Sequence, residues 1–256
     1  MSQSLAYFSG ATPRVLAHRG LVDEFGVENT LSAFAAAAHC GVTHIETDVQ
    51  VTRDGVPVLF HDDTLLRVAG IRMKIRSLTL AELKKIDIGF GNRVPTLEEA
   101  FKRFPQLFFN LDVKVAKAAP AIAEVVNRLE LHDRVLLTSF SDRRRKQATS
   151  LLHRPVAASA GSATVLRLVA AATPGLSWLK PKQDVLAQIQ AVQIPIKFGP
   201  LRLDRSNFIA KLNDLKLEVH FWTVNNPAEV ERLLSIGAAG FVTDKSDLVI
   251  SAIRNR

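Results

Sequence analysis

The side chains that could do chemistry crowd into one stretch. Val15-Leu16-Ala17 is a short apolar run closed by His18-Arg19-Gly20, and Val58-Leu59-Phe60 is another, closed by His61-Asp62. Between them His44-Ile45-Glu46-Thr47-Asp48-Val49 sets two carboxylates two positions apart. In a strand, residues i and i+2 share a face, so Glu46 and Asp48 point the same way. Two acids on one inward face repel unless a cation sits between them, and a hard ion such as Ca²⁺ or Mg²⁺ takes oxygen ligands. Histidine gives and takes protons near neutral pH, and each well-placed acid or base contributes roughly 10²–10⁴ in rate. Arg19 offers a planar fork to phosphate oxygens. Together these are the parts needed for metal-assisted acid–base cleavage of a phosphodiester.

The elements that must position them alternate strand and helix. Strands are expected at Arg14–Ala17, Thr43–Gln50 (extended by Val56–Phe60 after the Asp54-Gly55 turn), Gln106–Lys114, Arg134–Ser139, Pro155–Ser159, Ala191–Pro195, Leu217–Val224 and Ala239–Thr243. Helical patterns run from a cap at Asn29 or Thr30 through His39, then over Ala118–Leu131, Ser141–Leu152, Asp204–Leu215, Pro227–Ile236 and Lys245–Ile253. Eight strands in βα alternation predict an α/β fold, a closed (β/α)8 TIM barrel. No Gly-rich dinucleotide turn follows the first strand, which argues against an open doubly wound sheet. Such barrels place their sites at the C-terminal strand ends, where His18, His61, Asp112, Lys114 and Trp222 all fall.

In their order and spacing, His18-Arg19-Gly20, Glu28-Asn29-Thr30, Glu46-Thr47-Asp48, Thr52-Arg53-Asp54-Gly55 and His61-Asp62 resemble the glycerophosphodiester phosphodiesterase family. Leu78–Leu83 and Pro95–Glu99 resemble its insertion, Asn110–Lys114 its third strand, and Trp222–Asn225 with Thr243-Asp244 its last two strands. The likeness spans Val15 to Asp247. It implies one domain over residues 1–256 with an insertion at about 62–95.

The resemblance also implies site roles. His18 and His61 become the catalytic pair, with His18 taken as base and His61 as acid. Glu46, Asp48 and Asp112 become ligands of a divalent ion, Ca²⁺ or Mg²⁺, with Mn²⁺ as a third choice. Arg19, Lys114 and Trp222 become substrate contacts, and Glu28 orients Arg19. The family more often has glutamate where Asp112 stands. Aspartate there occurs in related barrels that cleave choline-bearing lysophospholipids. The implied reaction releases sn-glycerol 3-phosphate and an alcohol. The alternatives are a lysophospholipase D-like or phosphoinositide-type phosphodiesterase using the same site, or a non-catalytic barrel that binds a phosphorylated ligand.

Composition narrows the class. The 256 residues are 47% apolar, enough for one large core. A single cysteine, Cys40, rules out an intrachain disulfide framework and reads as a buried small hydrophobe. Met1 to Pro13 lacks the pattern of a signal peptide and no run is apolar enough to span a bilayer, so a cytoplasmic protein is expected. The net charge of +8 suits an anionic substrate. Arg143-Arg144-Arg145-Lys146 reads as a solvated helix start. Without aromatic interleaving or a nucleic-acid motif, nucleic acid is not an expected partner. A monomer or homodimer is expected. Gly161–Gln190 is read as a helix and long loop over the barrel mouth, or alternatively as a stretch that makes peripheral contact with a membrane surface or a second subunit.

Overall fold

The computed structural model describes residues 5–24 and 26–254. Eight parallel strands form the barrel: β1 (Arg14–His18), β2 (His44–Val51), β3 (Phe108–Val113), β4 (Val135–Thr138), β5 (Ala157–Ala158), β6 (Ala191–Pro195), β7 (Glu218–Trp222) and β8 (Gly240–Thr243). Neighbours run β5-β4-β3-β2-β1-β8-β7-β6. A parallel bridge between Ser159 and Ala191 joins β5 to β6 and closes the ring. Each strand is followed by a barrel helix: α1 (Leu31–His39), α2 (Leu97–Arg103), α3 (Ala118–Arg128), α4 (Asp142–Ser150), α5 (Ser162–Ala172), α6 (Ser206–Asp214), α7 (Pro227–Ser235) and α8 (Ser246–Arg254). Helix starts follow capping chemistry. Thr30, Ser141 and Asn226 accept from backbone N–H groups of the first turns of α1, α4 and α7.

The strands are buried on both faces, as covered parallel sheets are. One parity packs outward against the helices, with Ile45, Val49, Phe109, Leu111, Val219, Phe221 and Phe241 among its fully buried side chains. The other parity faces the barrel axis, and register decides what meets there. His18 pairs with Glu46, Glu46 with Asn110, and Asp48 with Asp112. Deeper down, Asn110 donates to Gln193 (3.2 Å), Gln193 to His220 (3.3 Å), and His220 Nε2 meets Glu218 (3.1 Å). Glu218 in turn holds Arg14 at 2.9 Å. Tyr7, from the one-turn helix Ala6–Phe8, packs its ring edge-on against His44.

Four details differ from the sequence reading. Residues 57–59 do not extend β2 along the barrel; Pro57–Leu59 turns back antiparallel on it, because the Asp54-Gly55 turn makes a hairpin. The insertion that follows packs its own small core of Val58, Phe60, Leu65, Ile75, Leu83 and Val94. Arg145 is not solvated but fully buried, its guanidinium aimed at Asp142 and the Gln188 carbonyl. Cys40 is only half-buried, at the end of α1. Of Gly161–Gln190, the helix α5 does line the mouth, through Ser162, Val165, Leu166 and Val169, but residues 173–190 do not line it. They run from the end of α5 back to the start of β6, and the mouth is flanked instead by the hairpin Lys197–Phe198/Leu201–Arg202.

Candidate active site

At the C-terminal end of β1 the chain turns sharply. Arg19 takes a left-handed φ of 57°, fixed by Arg19 N–H to the Glu46 carbonyl and Asn29 N–H to the Arg19 carbonyl, both 2.8 Å. A side chain at Gly20 would meet the Ala33 backbone at 2.7 Å, so only glycine lets β1 lie this close to α1. The result is a cavity of about 680 Å³ lined by His18, Arg19, Glu46, Asp48, His61, Asp112, Lys114 and Trp222. Every residue singled out from the sequence except Glu28 lines it. Glu28 sits behind Arg19 and accepts from it at 3.0 Å.

Both histidines are clamped the same way. His18 Nδ1 donates to Asp244 Oδ1 at 2.6 Å, and His61 Nδ1 donates to Asp62 Oδ1 at 2.7 Å. The hydrogen bond from His18 holds Asp244 below its usual carboxylate range, so Asp244 is the acceptor. Burial pulls the His18 imidazole down, but the Asp244 hydrogen bond and the Glu46 carboxylate outweigh it and leave it above its usual value. With Nδ1 engaged, each ring keeps Nε2 for other work. The His18 Nε2 lies 3.9 Å from Glu46 Oε2.

The carboxylates are unequally served. Asp48 accepts from Asn29 (3.0 Å), lies 3.0 Å from Arg19 Nε and 2.8 Å from Lys114 Nζ. Burial raises it, but Lys114 and Arg19 hold it below the usual range. Lys114 also reaches Asp112 Oδ2 at 2.9 Å, yet burial keeps Asp112 raised. Glu46, buried and beside Asp48, is pushed up to about 8. Glu46 Oε2 and Asp112 Oδ1 are buried without hydrogen-bond partners. Two orphaned carboxyl oxygens on neighbouring strands, short of positive charge, suit a hard cation. Lys114, expected as a phosphate contact, also lines the cavity, and its ammonium between Asp48 and Asp112 supplies part of that positive charge. As placed, no group of three or more His, Cys, Asp or Glu side chains among the described residues is set to hold a metal ion.

Several partners escaped sequence reading. Asn29 does not cap α1; Thr30 does, accepting from Ala33 N–H, while Asn29 holds Asp48 and accepts from Thr47. Asp244 was visible as a strand-end acid, and ring closure of β8 on β1 brings it to His18. Asn225 donates to its other oxygen at 2.9 Å. Arg67, in the insertion, bridges Asp62 (2.7 Å) and Glu28 (2.5 Å), tying the His61 support to the Arg19 support. No sequence pattern marked it.

A barrel mouth of this kind, with clamped imidazoles beside a partly neutralised carboxylate cluster and cationic side chains, is fitted for cleaving an anionic ester. Residues 18–248 match the glycerophosphoryl diester phosphodiesterase family. A probable glycerophosphodiester phosphodiesterase 2 of Mycobacterium tuberculosis is 34% identical, covering 91% of this chain and 88% of its own. Among solved structures, an Oleispira antarctica phosphodiesterase in complex with the product sn-glycerol-3-phosphate aligns at a TM-score of 0.72 and 25% identity, covering 95% of this chain and 97% of that one. A putative glycerophosphoryl diester phosphodiesterase from Silicibacter pomeroyi aligns at 0.74 and 24% identity, over 98% and 96%, and supports the fold. The chain belongs to the glycerophosphoryl diester phosphodiesterase family.

Proposed function

We propose that the protein hydrolyses glycerophosphodiesters to sn-glycerol 3-phosphate and an alcohol, with His18 and His61 as the acid–base pair. The observation that carries this reading is the matched pair of aspartate-clamped histidines lining one cavity with Arg19, Lys114 and the under-neutralised carboxylates. Family membership and the product-bound relative support it. Glu46, Asp48 and Asp112 would hold a divalent ion, Ca²⁺, Mg²⁺ or Mn²⁺, whose charge would help offset that of the phosphoryl oxygens. Arg19, held by Glu28, and Lys114 meet the same oxygens.

His18 takes the proton from the attacking hydroxyl, which belongs to the substrate's own glycerol. As the new P–O bond forms, the bond to the leaving alcohol breaks, and His61 gives that alcohol its proton. Water then opens the cyclic phosphate with the roles reversed. Asp244 and Asp62 stabilise the imidazolium forms and fix the ring planes. Trp222 walls the cavity. The lone cysteine suits a reducing compartment, in keeping with a cytoplasmic enzyme. A non-catalytic barrel is disfavoured, since no catalytic side chain is missing.

The test is release of sn-glycerol 3-phosphate from glycerophosphocholine by purified protein with Ca²⁺, Mg²⁺ or Mn²⁺, with chelator, and with Glu46→Ala. Ion-dependent release lost in the variant supports the reading; no release with any ion from folded protein sinks it. The histidine roles separate by leaving group. His61→Ala should keep turning over a glycerophospho-4-nitrophenyl ester while losing the choline ester, and the reverse pattern would exchange the two assignments.

A further inference from the structure

The basic run at the start of α4 has no part in the reaction described above, yet its side chains meet different fates. Arg143 is exposed, Arg145 is fully buried, and Arg144 is half-buried and pinned. Arg144 Nε donates to Ser139 Oγ at 3.1 Å, and its backbone N–H donates to Ser141 Oγ at 3.3 Å. Ser139 is buried just past the end of β4 and lines the catalytic cavity. Its own hydroxyl hydrogen goes to the Val113 carbonyl at 3.0 Å. The guanidinium is thus folded back toward the cavity wall, with its two Nη groups left over. An arginine on a helix surface ordinarily keeps its head in water and its rotamer freedom, so one pinned by a buried hydroxyl is aimed.

Its charge is also uncommitted. Arg19 is held by Glu28 and Asp48, at 3.0 Å each, and Lys114 by Asp48 (2.8 Å) and Asp112 (2.9 Å). Among the described residues Arg144 has no carboxylate in ion-pair contact. Burial raises the Asp112 carboxyl, and Lys114 and then Arg144 draw it back, so the guanidinium is within electrostatic reach of the ion site without touching it. It stands at β4, one strand further round the ring from His18 than Asp112 on β3. A group that meets it there lies beyond the phosphoryl oxygens. Two alcohols are joined through the phosphorus, and the glycerol brings hydroxyls without charge, so an anion at that remove belongs to the other alcohol. A free guanidinium fork matches a carboxylate or a phosphate monoester with paired N–H···O bonds. Resting on the phosphodiesterase reading above, we propose that Arg144 is a specificity-determining residue that binds a second anionic group, a carboxylate or phosphate monoester, carried by the leaving alcohol.

The experiment follows release of sn-glycerol 3-phosphate by the full chain with divalent ion, from two matched pairs of substrates. Glycerophosphoserine differs from glycerophosphoethanolamine by one carboxylate. Glycerophosphopropanediol, with and without a phosphate on its free hydroxyl, differs by one phosphate monoester. In at least one pair kcat/KM should favour the charged member by about tenfold or more, and the pair that shows it identifies the anion. Arg144→Ala should cut that ratio by at least about tenfold, chiefly through KM. Arg144→Lys keeps the charge without the fork and should restore only part of it. Arg143→Ala removes the same charge from the exposed neighbour and should leave the ratio where it was. Taking a ratio cancels any loss common to both members of a pair. No preference for the charged member in either pair, with glycerophosphoethanolamine still turned over, overturns the inference and leaves the phosphodiesterase reading standing. So does a preference that Arg144→Ala leaves intact, or one that Arg143→Ala reduces as much, since that would be the general field of α4. Silence on every substrate fails the phosphodiesterase reading and the inference with it.

Discussion

The two ends of the barrel interior solve the same electrostatic problem in opposite ways. At the bottom, Glu218 is met by Arg14 at two oxygens and by His220; burial raises its carboxyl, but these partners pull it down to about 2. At the mouth, Glu46 is more deeply buried and sits beside Asp48 with only the His18 imidazole near it, at 3.9 Å, and it is pushed up to about 8. A buried charge that the protein matches is structural. One that it leaves short of positive charge favours binding a cation or protonating, and both are functional states. The difference makes the two ends separable by mutation.

The largest effect should come from Glu46→Gln. Turnover falls by about 10³ or more if the carboxylate helps to hold the ion. The metal-free variant should also gain stability, by about 1–3 kcal/mol at neutral pH, read from urea unfolding. The sign follows from a raised acid: below its unfolded value of 4.5 there is no difference, and between 4.5 and about 8 the unfolded chain ionises while the folded one keeps its proton, which favours unfolding. A loss of stability would remove the contrast between the two ends.

Glu218→Gln should do the reverse. It leaves Arg14 buried without its counter-charge and costs about 3 kcal/mol, while turnover measured well below Tm changes little. Here the folded value is depressed, so the wild-type stabilisation is full above 4.5 and is lost as pH falls toward about 2. The variant's stability profile should lack that acid limb.

Smaller effects sharpen the account of the mouth. Asp244→Asn should lower kcat about ten- to a hundredfold and move the acid limb of the pH–rate profile to lower pH. Without the Asp244 hydrogen bond, burial is left as the leading influence on His18, and it favours the neutral ring. Arg67→Ala cuts the tie between the Glu28 and Asp62 supports and should lower kcat about tenfold, with little change in Tm because Arg67 is half exposed. An effect on Tm alone would make Arg67 a surface strut.

Much of this was legible because the information is local. Strand periodicity put Glu46 and Asp48 on one face, and apolar runs put His18 near a strand end; the structure places β1, β6 and β8 within a residue or two of the expected bounds. Eight alternations implied the closed barrel, and from that the convergence of distant strand ends followed. The buried Arg145 and the path of residues 173–190 were misread, because a basic helix start and a long apolar stretch look alike in sequence whichever neighbour covers them.

By itself, then, the sequence determined the element order, the face of each strand and the inventory of acids, bases and cations, since these depend on spacing along one chain. The tertiary structure alone decided which residues serve which. Closing β8 against β1 delivers Asp244 to His18, strand register sets Asp48 against Asp112 with Lys114 between them, and the insertion folds Arg67 back onto Glu28 and Asp62. The same closure gathers the apolar ends of α5 and β6 into a wall opposite the charges. Of these, His18–Asp244, Asp48–Asp112 and Arg67–Glu28 join residues tens to hundreds of positions apart, and their partners are fixed by which segments lie adjacent around the ring, a property that no single segment carries.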